Sequence, residues 1–202
     1  MTAFATVVLA GGTGERLGGV DKAAIEVAGV SLLDGVLLAT TAAETTVIVG
    51  QARPTVRDVA WAREDPPGTG PLAGLFAGVE ALGPDAPGLT AVFATDLTRL
   101  GAADVRRLVN ALATTPEAEA DAALFVDAEG RRQPLAAVYR TAVLTRVLRS
   151  LLPLDGKPVR ALVKLLGVVE VPDHGASQDC DTPEQLARLK SDEPDQPDEP
   201  DD

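Results

Sequence analysis

Thr6-Val7-Val8-Leu9-Ala10-Gly11-Gly12-Thr13-Gly14-Glu15-Arg16-Leu17-Gly18-Gly19-Val20-Asp21-Lys22 sets a short apolar run directly against a glycine-rich loop that closes on a base. Thr6–Leu9 is apolar on both parities, as a strand buried on both faces must be. The glycines let backbone N–H groups approach an anion and form a concave cradle. Arg16 and Lys22 add fixed positive charge, so the stretch has the parts of a polyphosphate site. Two familiar glycine motifs fail on it. A P-loop needs Gly-Lys-Ser/Thr, whereas Lys22 stands between Asp21 and Ala23. The dinucleotide fingerprint, counted from Gly12, would need glycine where Leu17 stands. The bare alternative is a mobile glycine-rich turn carrying two solvated bases.

Working outward, further short apolar runs read as strands: Thr46–Val49, Val59–Arg63, Leu89–Ala94, Ala122–Val126, Pro134–Tyr139 and Val168–Val171. Helical patterns lie between and after them: Leu32–Ala43, Leu72–Leu82, Ala102–Ala113, Thr141–Leu152, Val159–Leu166 and Pro183–Lys190. Ser31 with Asp34 resembles a capping box, and Thr182-Pro183 with Gln185 forms a second start signal. The alternation predicts an α/β fold: a three-layer, Rossmann-like arrangement with a mainly parallel central sheet and helices on both faces. The six residues Asp127–Arg132 join two strand candidates and predict one antiparallel excursion.

The chain has 202 residues, 46% hydrophobic, with 30 acids against 18 bases and a net charge of −12. That suffices for a real core and repels a phosphate backbone, so neither nucleic acid nor an anionic membrane is an expected partner. Ser191–Asp202 carries seven of the acids and no apolar residue. The expected division is a domain over residues 1–190 and a disordered acidic, proline-containing tail over 191–202. Met1–Phe4 lacks a basic n-region, no apolar run reaches about 18 residues, and Cys180 is a lone cysteine. These features predict a cytoplasmic protein. Cys180 lies between two acids and is not read as a nucleophile. His174 reads as a loop residue, and Trp61 and Tyr139 as core.

The motifs Leu9-Ala10-Gly11-Gly12, Arg16-Leu17-Gly18 and Asp21-Lys22-Ala23 together resemble the signature of the molybdenum cofactor guanylyltransferases. Glu64-Asp65 with Gly70-Pro71-Leu72-Ala73-Gly74 is similar to that family's second nucleotide-binding segment. Phe93-Ala94-Thr95-Asp96-Leu97 is similar to its metal-binding strand end. Gln133-Pro134-Leu135 and Asp179-Cys180-Asp181-Thr182-Pro183-Glu184 resemble two further family segments. The resemblance runs from about Val7 to Leu189.

It implies a Mg²⁺-dependent nucleotidyltransferase moving GMP from GTP to the phosphate of molybdenum-molybdopterin. Leu9, Ala10, Gly11, Gly12, Lys22, Asp65, Gly70, Pro71, Leu72 and Asp96 would line the nucleotide. Arg16 and Lys22 would be catalytic, stabilising charge on the leaving pyrophosphate. Asp96 and Asp179 would hold the metal. A monomer or weak homo-oligomer is expected. Read without the family, Asp96 could equally cap a turn, and Asp179 could solvate the turn that Asp181 or Thr182 caps. Paired aspartates also occur in related cytidylyltransferases, so guanine and cytosine both stay open. So does a nucleotide-binding accessory protein without turnover.

Overall fold

The computed structural model describes residues 2–11, 21–178 and 185. Gly12, Arg16, Asp179, Asp181 and the segment 191–202 lie outside the described residues. Of the helix expected over Pro183–Lys190 only Gln185 is described, in helical conformation.

Seven strands form one sheet: β1 Ala5–Leu9, β4 Thr45–Val49, β5 Ala60–Ala62, β6 Leu89–Ala94, β7 Ala122–Val126, β8 Arg132–Arg140 and β9 Val168–Pro172. A small antiparallel ribbon, β2 Glu26–Val27 and β3 Val30–Ser31, stands apart from it. The order across the sheet is β5-β4-β1-β6-β8-β7-β9. β8 alone among these runs antiparallel to its neighbours, which is the excursion the sequence predicts.

Helices cover both faces, because each buried strand offers apolar side chains to both. Val8, Ile48, Phe93, Phe125 and Val138 pack beneath α1 Leu32–Ala39 and α3 Ala102–Thr114. Val7, Val49, Val92, Leu124 and Tyr139 pack beneath α2 Pro71–Leu82, α4 Thr141–Ser150 and α5 Arg160–Val163. Each fully buried Leu or Val contributes about 1.5–3 kcal/mol relative to exposure. α2 sits especially low on the sheet. A Cβ on Gly78 would lie 2.5 Å from Val7 Cγ1 and 2.8 Å from Val49 Cγ2, so only glycine admits this approach.

Several boundaries differ from the sequence reading. α1 stops at Ala39, not Ala43, where two successive β-branched threonines bond the last turn's carbonyls with their hydroxyls beside the backbone N–H groups. Thr40 Oγ1 donates to Val36 O at 2.9 Å and Thr41 Oγ1 to Leu38 O at 2.8 Å. Arg57 then donates to Thr40 O at 3.3 Å and Thr46 Oγ1 at 2.9 Å, bracing that end against β4. Desolvation lowers the pKa of this half-buried guanidinium. The β2–β3 ribbon was not foreseen. Its turn, Ala28-Gly29, has φ of 52° and 72°, the pair of positive values a two-residue hairpin requires.

β8 begins at Arg132 and carries an irregularity. Leu124 pairs with Ala137, yet Phe125 pairs with Gln133, so Pro134–Ala136 bulge out of the β7 ladder. Proline, which has no N–H to donate, suits such a place. The Tyr139 hydroxyl donates to Pro134 O at 2.7 Å and ties the bulge down. Burial pushes the Tyr139 phenol well above its ordinary pKa. At the β7–β8 turn the backbone N–H and guanidinium of Arg131 hold the Asp127 carboxyl below the usual carboxylate range.

Candidate active site

β1, β4 and β6 end at one level, with Leu9 in register with Val49 on one side and Ala94 on the other. The chain leaves β1 by α1 toward β4 and β5, then returns by α2 to β6 on the opposite flank of β1. Open α/β sheets place their ligand crevice at such a change of direction, beyond the strands' carboxyl ends. A cleft of about 380 Å³ lies there. Backbone bonds seal its floor: Ala10 N donates to Val49 O at 2.8 Å and Thr95 N to Leu9 O at 3.2 Å.

Leu9, Gly11, Lys22, Gly70, Pro71 and Asp96 all line this cleft. These six come from four separate segments of the chain, and the fold brings them together. Ala10 and Leu72 are buried just behind the surface, at 6% and 0% exposure. Asp65 is exposed and lines an adjoining groove with Phe76 and Leu154 instead. Its neighbour Glu64 lines the cleft and accepts from Gly68 N at 3.0 Å. Glu64 carries no motif of its own, and only its place beside Asp65 marks it. Leu135 also reaches the cleft, from the bulge of β8.

Lys22 rides on a 3-10 turn, Lys22–Ala24, that Asp21 caps by accepting from Ala23 N at 3.1 Å. The Lys22 ammonium stands 3.4 Å from Asp96 Oδ2, with side-chain exposures of 14% and 22%. Such a pair is screened less than a surface pair, and both side chains border the cleft. Pro71 opens α2 at its first turn, and Gly70 before it has a φ of 106°, which favours glycine. The N-terminus of α2 is thus turned to the cleft, where its dipole favours negative charge.

A magnesium ion asks little of such a site: one or two carboxylates, the rest supplied by phosphate oxygens and waters. Asp96 alone meets that demand, and no group of three or more possible metal-ligating side chains occurs among the described residues. That single carboxylate fits an ion that arrives with a polyphosphate.

A glycine-started crevice, a lysine facing a strand-end aspartate and a helix N-terminus on a Rossmann-like sheet define a nucleotidyltransferase. Residues 6–171 match the family described as the MobA-like NTP transferase domain, and the chain belongs to that family. No curated protein matches this sequence. Among solved structures, it is similar to molybdopterin-guanine dinucleotide biosynthesis protein A from Archaeoglobus fulgidus, at 20% identity and a TM-score of 0.72. That match covers 93% of this chain and 97% of the other. It is also similar to 2-C-methyl-D-erythritol 4-phosphate cytidylyltransferase from Thermus thermophilus, at 18% identity and a TM-score of 0.68, covering 92% and 96%. These likenesses bear out the fold. No helix among the described residues is long and apolar enough to cross a membrane.

Proposed function

We propose that this protein transfers GMP from GTP to the phosphate of molybdenum-molybdopterin and releases pyrophosphate, acting in the cytoplasm as a monomer or weak homo-oligomer. The observation that carries the reading is the Lys22–Asp96 pair in the cleft, flanked by Gly11 on one side and Gly70-Pro71 on the other. A pair of opposite charges facing a helix N-terminus is what a polyphosphate with its counter-cation requires.

In this reading an acceptor phosphate oxygen forms the new bond to the α-phosphorus of GTP. The bond to the β-phosphate oxygen breaks, and its electron pair leaves with pyrophosphate. The nucleophile is already anionic, so no strong base is needed, only charge neutralisation and in-line placement. Lys22 and Arg16 neutralise the polyphosphate and the leaving group. The backbone of Leu9, Ala10, Gly11 and Gly12 cradles the phosphates. Asp96 and Asp179 would hold Mg²⁺, which when bound supplies charge neutralisation between the two phosphate groups. Leu72 packs behind Gly70-Pro71, the lip that reads the base.

For the base contact the sequence points to Asp65. The position of Glu64 in the cleft supports giving that role to Glu64, with Asp65 outside it. A carboxylate there complements guanine, whose pairing edge offers a ring N–H and an exocyclic amine as donors. The test is an initial-rate panel: each of the four NTPs with Mg²⁺ and a molybdopterin source, followed by pyrophosphate release. Release with GTP supports the proposal. Release with CTP instead makes it a cytidylyltransferase, and binding without release makes it an accessory protein.

A further inference from the structure

The two consecutive residues Asp21 and Lys22 are held in opposite directions across the end of β1. Lys22 reaches toward Asp96, beyond β6. Asp21 reaches the other way, and its Oδ2 accepts from Arg53 Nη1, beyond β4. β4 and β6 are the two neighbours of β1, so the turn bridges the strand at whose end the cleft opens.

Arg53 is itself fixed. Its Nε donates to Gln51 O at 3.3 Å, and its side chain is only 18% exposed. The Asp21 carboxylate therefore serves two tasks, one oxygen capping the 3-10 turn at Ala23 N and the other taking the guanidinium. The Asp21 side chain is 49% exposed, so the pair lies at the surface, and its strength comes from being a bond between opposite charges that holds direction as well as distance. Arg53 is not among the residues lining the cleft. Its mechanical route to a ligand there is the turn, apart from the through-space field of its charge.

We propose that Arg53 is a positioning residue: through Asp21 it anchors the turn that aims the Lys22 ammonium at the cleft. In so far as this concerns transfer, it rests on the nucleotidyltransferase reading above. Because misplacing a reacting group by about 1 Å can cost a hundredfold in rate, a residue outside the cleft can matter this way.

The test is a double-mutant cycle on the full chain, with Arg53→Ala, Lys22→Ala and the pair together, plus Arg53→Lys as the conservative variant. The readouts are kcat/KM for the preferred NTP and amide exchange at Ala23 and Ala24. Those two amides bond to the Asp21 carboxylate and the Asp21 carbonyl. Arg53→Ala should lower kcat/KM about tenfold, Arg53→Lys should recover most of that, and Arg53→Ala on the Lys22→Ala background should cost less than about twofold. Exchange at Ala23 and Ala24 should speed up in Arg53→Ala and not in Arg53→Lys. An undiminished loss on the Lys22→Ala background, or wild-type kinetics in Arg53→Ala, overturns the proposal. If no NTP supports transfer by the wild type, the functional reading fails by itself and exchange decides: acceleration upholds the anchoring, and unchanged exchange overturns it. Should Arg53→Ala not fold, Arg53→Gln takes its place in the cycle.

Discussion

The two ends of the sheet both carry a concavity, and the larger is at the wrong end for chemistry. The groove beyond the amino end of β6, between α2 and α4, has about 860 Å³ against about 380 Å³ for the cleft at the carboxyl ends. Yet several of the groove's polar groups brace the protein itself. Arg140 donates to Ala120 O at 2.9 Å and Thr115 O at 2.7 Å, and Thr141 Oγ1 to Pro87 O at 2.6 Å. Arg149 pairs with Glu80 at 2.9 Å. In the cleft, Lys22 and Asp96 meet at a longer 3.4 Å and both border open volume. Volume does not identify a site here; what identifies it is a pair of opposite charges bordering a cleft at the carboxyl ends of the strands.

That contrast breaks most sharply at Asp96. Asp96→Asn should cut Mg²⁺-dependent turnover a hundredfold or more, about 2.7 kcal/mol on the barrier, while the thermal midpoint stays within a few degrees. Near-normal rates in the purified variant would place the metal elsewhere.

At the other end the effect should move from rate to stability. Arg140→Ala strips hydrogen bonds from carbonyls near the end of α3 and should cost about 3 kcal/mol in a denaturant titration. The rate per folded molecule should not change. A catalytic defect without a stability loss would mean that the large groove has a function.

Lys22→Ala sharpens the same comparison within one charge type. It should weaken NTP binding at least about tenfold more than Lys164→Ala, an exposed lysine after α5, when both are titrated at one salt concentration. Lys164 serves as the reference because, unlike Arg53, it has no bond to the Lys22 turn among the described residues. Equal, small effects would reduce the cleft to an ordinary surface turn.

The smallest effect concerns the bulge that carries Leu135 to the cleft. Tyr139→Phe removes the bond to Pro134 O and should cost about 1 kcal/mol at neutral pH. Its sign with pH is fixed by the raised phenol pKa. Both states keep the proton below the ordinary value of about 10; above it the unfolded chain ionises first, and stability falls as pH rises. Denaturation midpoints of wild type and Tyr139→Phe should therefore converge above pH 10, and parallel curves would contradict the burial argument.

How much of this was legible in the sequence follows from which forces act locally. The buried strands were readable because two-faced burial demands uninterrupted apolar runs, as in Leu89–Ala94. Lys22 and Asp96, which the fold brings together at the cleft, carried a signal because each stands in a motif of fixed spacing that follows a strand. The end of α1 was not readable, since Ala42-Ala43 follow Thr40-Thr41 and carry the helical pattern past the stop. Nor was the β2–β3 ribbon, only two residues per strand and thus below any periodicity. Glu64 and Asp65 are adjacent and both acidic, and only the path of the loop into Gly70 decides which of them meets the cleft. Arg53 looks like any surface base until the fold sets it beside Asp21, 32 positions away.

The glycine under α2 has an evolutionary consequence. Position 78 shares one small volume with Val7 and Val49, and a single added methyl would overlap both. The three positions should therefore change together: a lineage that acquires alanine at 78 must trim one of the valines or let the helix rise. Because Gly70-Pro71 opens the same helix, a raised α2 would also lift the lip of the cleft. Side-chain size beneath α2 and the height of that lip are then inherited as one trait, and a relative with a raised helix is one that carries alanine at 78 and keeps both valines.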